Sequence, residues 1–238
     1  NIWRAPTDND RKIKLEWMNA HYDQSYARAY ETTYEISEGS VLIHSVIGLM
    51  APTVQKILEV KADWQITPDG AVSVKMQVER DLEFPMLPRF GLRLFLDKEF
   101  TDVTYSGIGP AESYVDKRQA GYHGVFQTTV EEMHEDYLRP QENGSHTDCD
   151  YVKLSNKDQS IYAVSDLTFS FNASVYTQEE LTNKAHSYEL ENCGSTVLCL
   201  DYAQNGIGSN SCGPELSKKY RLDQERFEFD MKLVFIGK

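Results

Sequence analysis

Four polar segments carry the residue types from which a binding or catalytic site could be made. The first, Trp3-Arg4-Ala5-Pro6-Thr7-Asp8-Asn9-Asp10, places two carboxylates and an amide side by side. Such a group can accept protons from sugar hydroxyls or hold a cation; it equally suits an acidic turn closed by Asx hydrogen bonds. The second runs from Gly107 to Arg118 and opens on Gly-Ile-Gly-Pro. It lacks the strand-to-helix context and third glycine of a dinucleotide loop, so phosphate binding is not expected. Its Glu112 and Asp116 have the spacing of one helix face, and the plain alternative is a loop ion-paired to Arg118. The third, Leu138 to His146, contains Asn143-Gly144-Ser145, which matches a glycosylation sequon, as does Asn172-Ala173-Ser174. The fourth, Gly206 to Pro214, is small and polar, the composition of a loop that approaches a ligand closely, or of a plain interstrand connection. A retaining glycosidase needs two carboxyl groups ~5 Å apart, one kept protonated. No such pair stands out, the six histidines are scattered, and no Ser/His/Asp pattern is present.

The elements that must position these segments read as strands. Val72, Val74, Met76 and Val78 alternate with Ser73, Lys75 and Gln77, which is the period of a strand with one buried face. Phe227, Phe229, Met231 and Leu233 repeat it, as do Leu167, Phe169, Phe171 and Ala173. Further strands are expected over 41–47, 56–64, 92–96, 151–154, 161–164 and 197–201. Turns at Pro68-Asp69-Gly70, Glu142-Asn143-Gly144 and Asn192-Cys193-Gly194 separate them. Ten or so strands at this spacing imply a sandwich or barrel. Thr177 and Glu180 have capping-box spacing and open one short helix. A second, with weak periodicity, covers Ile13 to His21.

The 238 residues are 40% hydrophobic and 26% charged, an ordinary globular composition that argues against disorder and coiled coil. A single domain over 1–238, without internal repeats, is the simplest organisation, and it is large enough to bury roughly 70% of its unfolded surface. The net charge of −13 makes nucleic acid and anionic membranes poor partners, because phosphates are bound by Lys and Arg. No apolar run approaches the ~20 residues of a membrane helix. The cysteines, Cys149, Cys193, Cys199 and Cys212, form no C-x-x-C pair, so zinc is not expected. Strand pairing could bring Cys193 to Cys199, but no secretory context supports a disulfide. The chain opens on Asn1 rather than Met, and is expected to be a piece of a longer protein.

In order, the segments Trp-Arg-Ala-Pro-Thr-Asp-Asn-Asp, Gly-Ile-Gly-Pro-Ala-Glu-Ser-Tyr-x-Asp-Lys-Arg, Arg-Pro-Gln-Glu-Asn-Gly and Gly-Ile-Gly-Ser-Asn-Ser-Cys-Gly-Pro resemble the C-terminal domain of β-galactosidases of glycoside hydrolase family 2. The same domain forms much of the small subunit of heterodimeric β-galactosidases. The likeness runs from Asn1 to about Phe235. It implies an all-β antiparallel β-supersandwich, galactose-mutarotase-like in architecture. It implies that the catalytic glutamates lie elsewhere, on a (β/α)8 barrel domain or large subunit, and that this chain completes the substrate pocket. The substrate-binding positions it implies are Arg4, Asp8, Asn9, Asp10, Asn210, Ser211 and Cys212, with no catalytic residue and no metal ligand in the chain. The implied partners are a galactoside and the catalytic barrel; no cofactor belongs to this piece, and Mg and Na would bind the parent through other domains. A bacterial-type enzyme of this kind is cytoplasmic.

The resemblance also casts Arg11 to His21 as a mobile active-site loop, and the loop around Cys212 as bordering the aglycone subsite. Some members have a Trp where this chain has Cys212, so their aglycone preference does not carry over to this chain. Family domains begin some tens of residues before Trp-Arg-Ala-Pro, so an open sheet edge is expected near Asn1. Two other readings stand beside this one. A stand-alone carbohydrate-binding or aldose-epimerising module would need a His acid facing a carboxylate base, with His123, His146, Glu112 and Glu142 as candidates. A purely structural assembly domain would leave the sugar to the barrel.

Overall fold

The computed structural model describes residues 1–52, 55–208 and 213–237. Among the described residues eleven strands are formed: β1 (Tyr26–Ser37), β2 (Ser40–Met50), β3 (Leu58–Ile66), β4 (Val72–Arg80), β5 (Arg89–Asp97), β6 (Asp102–Gly109), β7 (Tyr122–Thr129), β8 (His146–Ser155), β9 (Gln159–Ser174), β10 (Ser195–Gln204) and β11 (Arg226–Gly237). All their pairings are antiparallel, in the order β1-β2-β3-β4-β11-β9-β8-β6-β7, with β10 joining β9 to β5. The alternating segments behave as their period demands. Met76 on β4 lies opposite Phe229 on β11, and Val74 opposite Met231, all facing the core, while Lys75 and Gln77 face solvent.

β9 makes the sandwich. Its first half pairs with β11 and its second half with β10, so one strand feeds two diverging ladders. The expected strands over 161–164 and 167–173 are therefore one long strand. The ladders then close over a shared interior: the Phe227 ring meets Phe90 of β5 edge-on at 5.0 Å and stacks on Tyr202 of β10 at 4.6 Å. Burying a phenylalanine such as Phe90 or Phe227 contributes roughly 1.5–3 kcal/mol.

β1, β6 and β7 depart from the sequence reading, while β5 carries the open edge expected near Asn1. β1 has all its residues exposed, so it lacks the alternation that marks a half-buried strand. β6 absorbs Gly107-Ile108-Gly109, which had read as the start of a loop, and β7 pairs with it along its whole length. β5, the strand beside Asn1, has β10 on one side and no strand on the other among the described residues; the Gly91 N–H donates there to the Asn1 carbonyl at 3.0 Å.

The two helices are short. α2 (Gln178–Asn183) opens as its spacing predicts, with Thr177 Oγ1 accepting the Glu180 N–H at 3.0 Å. α1 (Ile13–Asn19) forms where a second helix was expected, within the segment that the resemblance casts as an active-site loop. It is anchored by Trp17, which is fully buried and donates from Nε1 to the Met86 carbonyl at 2.9 Å. Just beyond it, the Tyr22 hydroxyl donates to the Pro85 carbonyl at 2.6 Å. Cys149, Cys193 and Cys199 are free thiols, with Cys193 exposed and Cys199 buried, so no bridge joins the latter two.

Candidate functional site

The four polar segments converge and are cross-linked. Asp10 closes a short turn by accepting the Thr7 N–H at 2.9 Å, and both its oxygens accept from Arg4 Nη2, at 2.8 and 3.0 Å. Arg4 reaches on to the fourth segment, donating to the carbonyls of Asn205 and Gly206, and its guanidinium lies 5.3 Å from the Trp17 ring centre. The first segment meets the third through the Glu142 N–H on the Ala5 carbonyl at 3.1 Å and the Asp8 N–H on Gln141 Oε1 at 3.0 Å. The second meets the third where Glu112 accepts the Gly144 N–H at 2.7 Å and the Ser113 N–H donates to the Ser145 carbonyl at 2.7 Å. Gly144 has φ of +68°, and a Cβ there would lie 2.3 Å from the Met133 carbonyl oxygen, so only glycine fits.

Beneath the loops lies a second ionic group. Arg89, at the start of β5, is fully buried between Asp201 of β10 and Glu142. Its Nη2 and Nε hold the two Asp201 oxygens, and its Nη1 reaches Glu142 Oε2 at 3.2 Å. One guanidinium thus serves two carboxylates. Burial pushes the Glu142 carboxyl above the usual range, against the pull of Arg89 and Arg4. Its Oε1 accepts no protein hydrogen bond, leaving an oxygen on which a proton can sit. Burial also pushes the Cys199 thiol up to about 11, so it is a protonated core residue rather than a nucleophile.

The residues singled out from the sequence divide into three sets. Arg4 and Asp10 are completely buried, bonded to each other and to backbone groups, and tie loops together rather than face solvent. Asp8 and Asn9 are exposed at the tip of the same turn. Asp8 lines an open cleft of about 290 Å³ with Lys14, Arg139 and Thr182. Asn210, Ser211 and Cys212 lie outside the described residues.

The remaining candidates have structural partners. His146 is buried, its Nδ1 donates to the Ile108 carbonyl at 3.0 Å, and its ring packs on Tyr105 and Phe171. Burial lowers its pKa below the usual imidazole range. His123 is exposed beside Asp150. Arg118 pairs with Asp148 rather than with Glu112 or Asp116; Glu112 takes Lys117 and the Tyr137 hydroxyl, and Asp116 takes backbone amides. Asn143 and Asn172 are buried with their amides hydrogen-bonded, so neither sequon is presented as a surface acceptor. Arg89 and Asp201 escaped the sequence reading because they belong to no motif. The available signal was a charge inside an apolar run, Val197-Leu198-Cys199-Leu200-Asp201. Among the described residues, no group of three or more His, Cys, Asp or Glu is placed to hold a metal, and no helix is long and apolar enough to cross a membrane.

Fold and loops together define an antiparallel β-sandwich domain with a polar loop end built on buried ion pairs. The chain belongs to the β-galactosidase small chain family, whose model matches residues 1–233. It is 46% identical to a β-galactosidase of Actinobacillus pleuropneumoniae and 42% identical to one of Staphylococcus xylosus, over 99% of this chain in each case. The chain spans 23% and 24% of those two proteins, about a quarter of their length. A galactose 1-epimerase from Lactobacillus acidophilus aligns with 87% of this chain and 66% of its own, at a TM-score of 0.44 and 8% identity.

Proposed function

We propose that this chain is the non-catalytic portion of a retaining β-galactosidase, an enzyme that hydrolyses terminal β-D-galactosides. The observation that carries the reading is the 46% identity along 99% of the chain to a quarter-length part of a protein named β-galactosidase. The glutamate nucleophile and glutamate acid/base of such an enzyme act as a pair ~5 Å apart. The carboxylates buried here, Asp10, Asp201 and Glu142, are committed to arginines, and the chain's task is to shape the pocket. Asp8 and Asn9 at the exposed turn, with the segment that runs on from Gly206 to Asn210, Ser211 and Cys212, supply its polar wall. Arg4 and Asp10 hold that wall in place from behind. The partner is the catalytic barrel, as a domain of the same chain or as a large subunit. Mg and Na belong to that part of the enzyme, and the setting is the bacterial cytoplasm. A free-standing epimerase is disfavoured because His146 and Glu142 are both buried and held by other groups.

The test is turnover of a nitrophenyl β-galactoside by the chain alone, by the rest of the enzyme alone, and by the two together. Hydrolysis is expected only when both parts are present. Hydrolysis by the purified chain alone would refute the reading.

A further inference from the structure

We infer that Asp116 is a positioning residue: its carboxylate fixes the Gly206-Ile207-Gly208 backbone and thereby sets how the pocket receives a galactoside. The consequence for substrate rests on the reading of this chain as the pocket-completing part of a β-galactosidase. The hold on the backbone does not.

Asp116 Oδ1 accepts the Ile207 N–H at 3.0 Å and Oδ2 accepts the Gly208 N–H at 2.8 Å. Two successive backbone amides converging on one carboxylate form an anion-binding concavity, here filled by the protein's own side chain. The fit explains the glycines. A Cβ at Gly206 would lie 2.8 Å from the Asp116 carboxyl carbon and from Leu216, and one at Gly208 would lie 3.0 Å from Oδ2. The small residues that suggested close approach to a ligand are thus small, at these two positions, because Asp116 is already there.

The mount is rigid. Tyr114 and Lys117 exchange both backbone hydrogen bonds, at 2.9 and 3.0 Å, so Asp116 sits at the tip of a closed turn. Tyr114 is fully buried, and Ser113 ties the turn to β6 and β8 through the Ile108 carbonyl and the Thr147 N–H. Arg4 in turn donates to the Asn205 and Gly206 carbonyls. The segment is therefore held at its carbonyls by Arg4 and at its amides by Asp116. Residues 209–212 follow directly in the sequence, and they include three of the positions assigned to the pocket wall.

The test uses the full-length enzyme carrying Asp116→Ala or Asp116→Asn. Amide hydrogen exchange at Ile207 and Gly208 should quicken about tenfold in the alanine variant, the scale of a lost hydrogen bond to a charged group. The asparagine variant keeps one acceptor oxygen and should fall between. KM for nitrophenyl galactoside and for lactose should rise by unequal factors while kcat changes less. Unchanged exchange would overturn the proposal. So would faster exchange with both kinetic constants unchanged, which would make Asp116 merely structural. If the wild-type enzyme hydrolyses no galactoside, the functional reading fails, and the exchange measurement alone decides the hold of Asp116.

Discussion

Replacing Asp10 by Ala should lower the thermal midpoint of the protein by roughly 10 °C or more. The change strands the Arg4 guanidinium, which is wholly buried, without its counter-charge. Breaking a buried pair from one side typically costs about 3–5 kcal/mol, because the remaining charge is desolvated and unpaired. In a domain of this length each kcal/mol moves the midpoint by about 2–4 °C. The Thr7 N–H loses its acceptor as well. Asp10→Asn preserves the shape and can still accept that N–H, so it should cost less. Removing both charges together, as Arg4→Met with Asp10→Leu, should cost less than the two single changes summed, since neither charge is then left alone. Thermal unfolding followed by circular dichroism, on the wild type, Asp10→Ala, Asp10→Asn, Arg4→Met, Asp10→Leu and the double variant, measures these differences. A loss below about 1 kcal/mol for Asp10→Ala would mean that water reaches Arg4.

Arg89→Met should be worse at neutral pH, with a loss of about 5 kcal/mol or more, because it abandons two buried carboxylates rather than one charge. The effect should depend on pH in a definite direction. Burial already holds the folded-state pKa values of Asp201 and Glu142 above their unfolded values of about 4 against the pull of Arg89, and losing Arg89 raises them further. A carboxyl raised on folding binds more protons in the folded state, so its contribution is intact below the unfolded pKa and is lost as the pH climbs through the folded one. The gap between Arg89→Met and the wild type should therefore narrow as the pH falls from 7 toward 5. Denaturant unfolding across that range measures it, and a gap that widens on acidification would show that the two carboxylates are not the source of the loss.

Both effects arise from residues that the sequence exposes unequally. β4 and β11 were legible because one face of each is buried and the other wet, which writes period two into the residues. β1 was not, because both its faces are exposed and its Tyr, Ala, Arg and Thr have no side to prefer. β6 was misread at Gly107-Ile108-Gly109, where glycines suggest a turn; a Cβ on Gly107 would press on Cys149 at 2.5 Å, so a packed strand needs the glycine. For the site, the four segments were legible as a set, through composition and resemblance. Their division of labour was not. Arg4-x-x-x-Asp8-Asn9-Asp10 reads as one polar patch, yet the turn sends Asp10 inward to Arg4 and leaves Asp8 and Asn9 outward. Only tertiary contact separates the buried side chains of this patch from the exposed ones.

That division is the claim most open to measurement. The direct test is the kinetic comparison of the full-length enzyme with its Asp8→Ala and Cys212→Ala forms, alongside thermal midpoints for each. Lost pocket contacts should raise KM for nitrophenyl β-galactoside by about tenfold, the equivalent of roughly 1.4 kcal/mol of binding, with the midpoints unmoved. Kinetic constants equal to wild type in both variants would contradict the account and make this chain an assembly scaffold that leaves the sugar to the barrel.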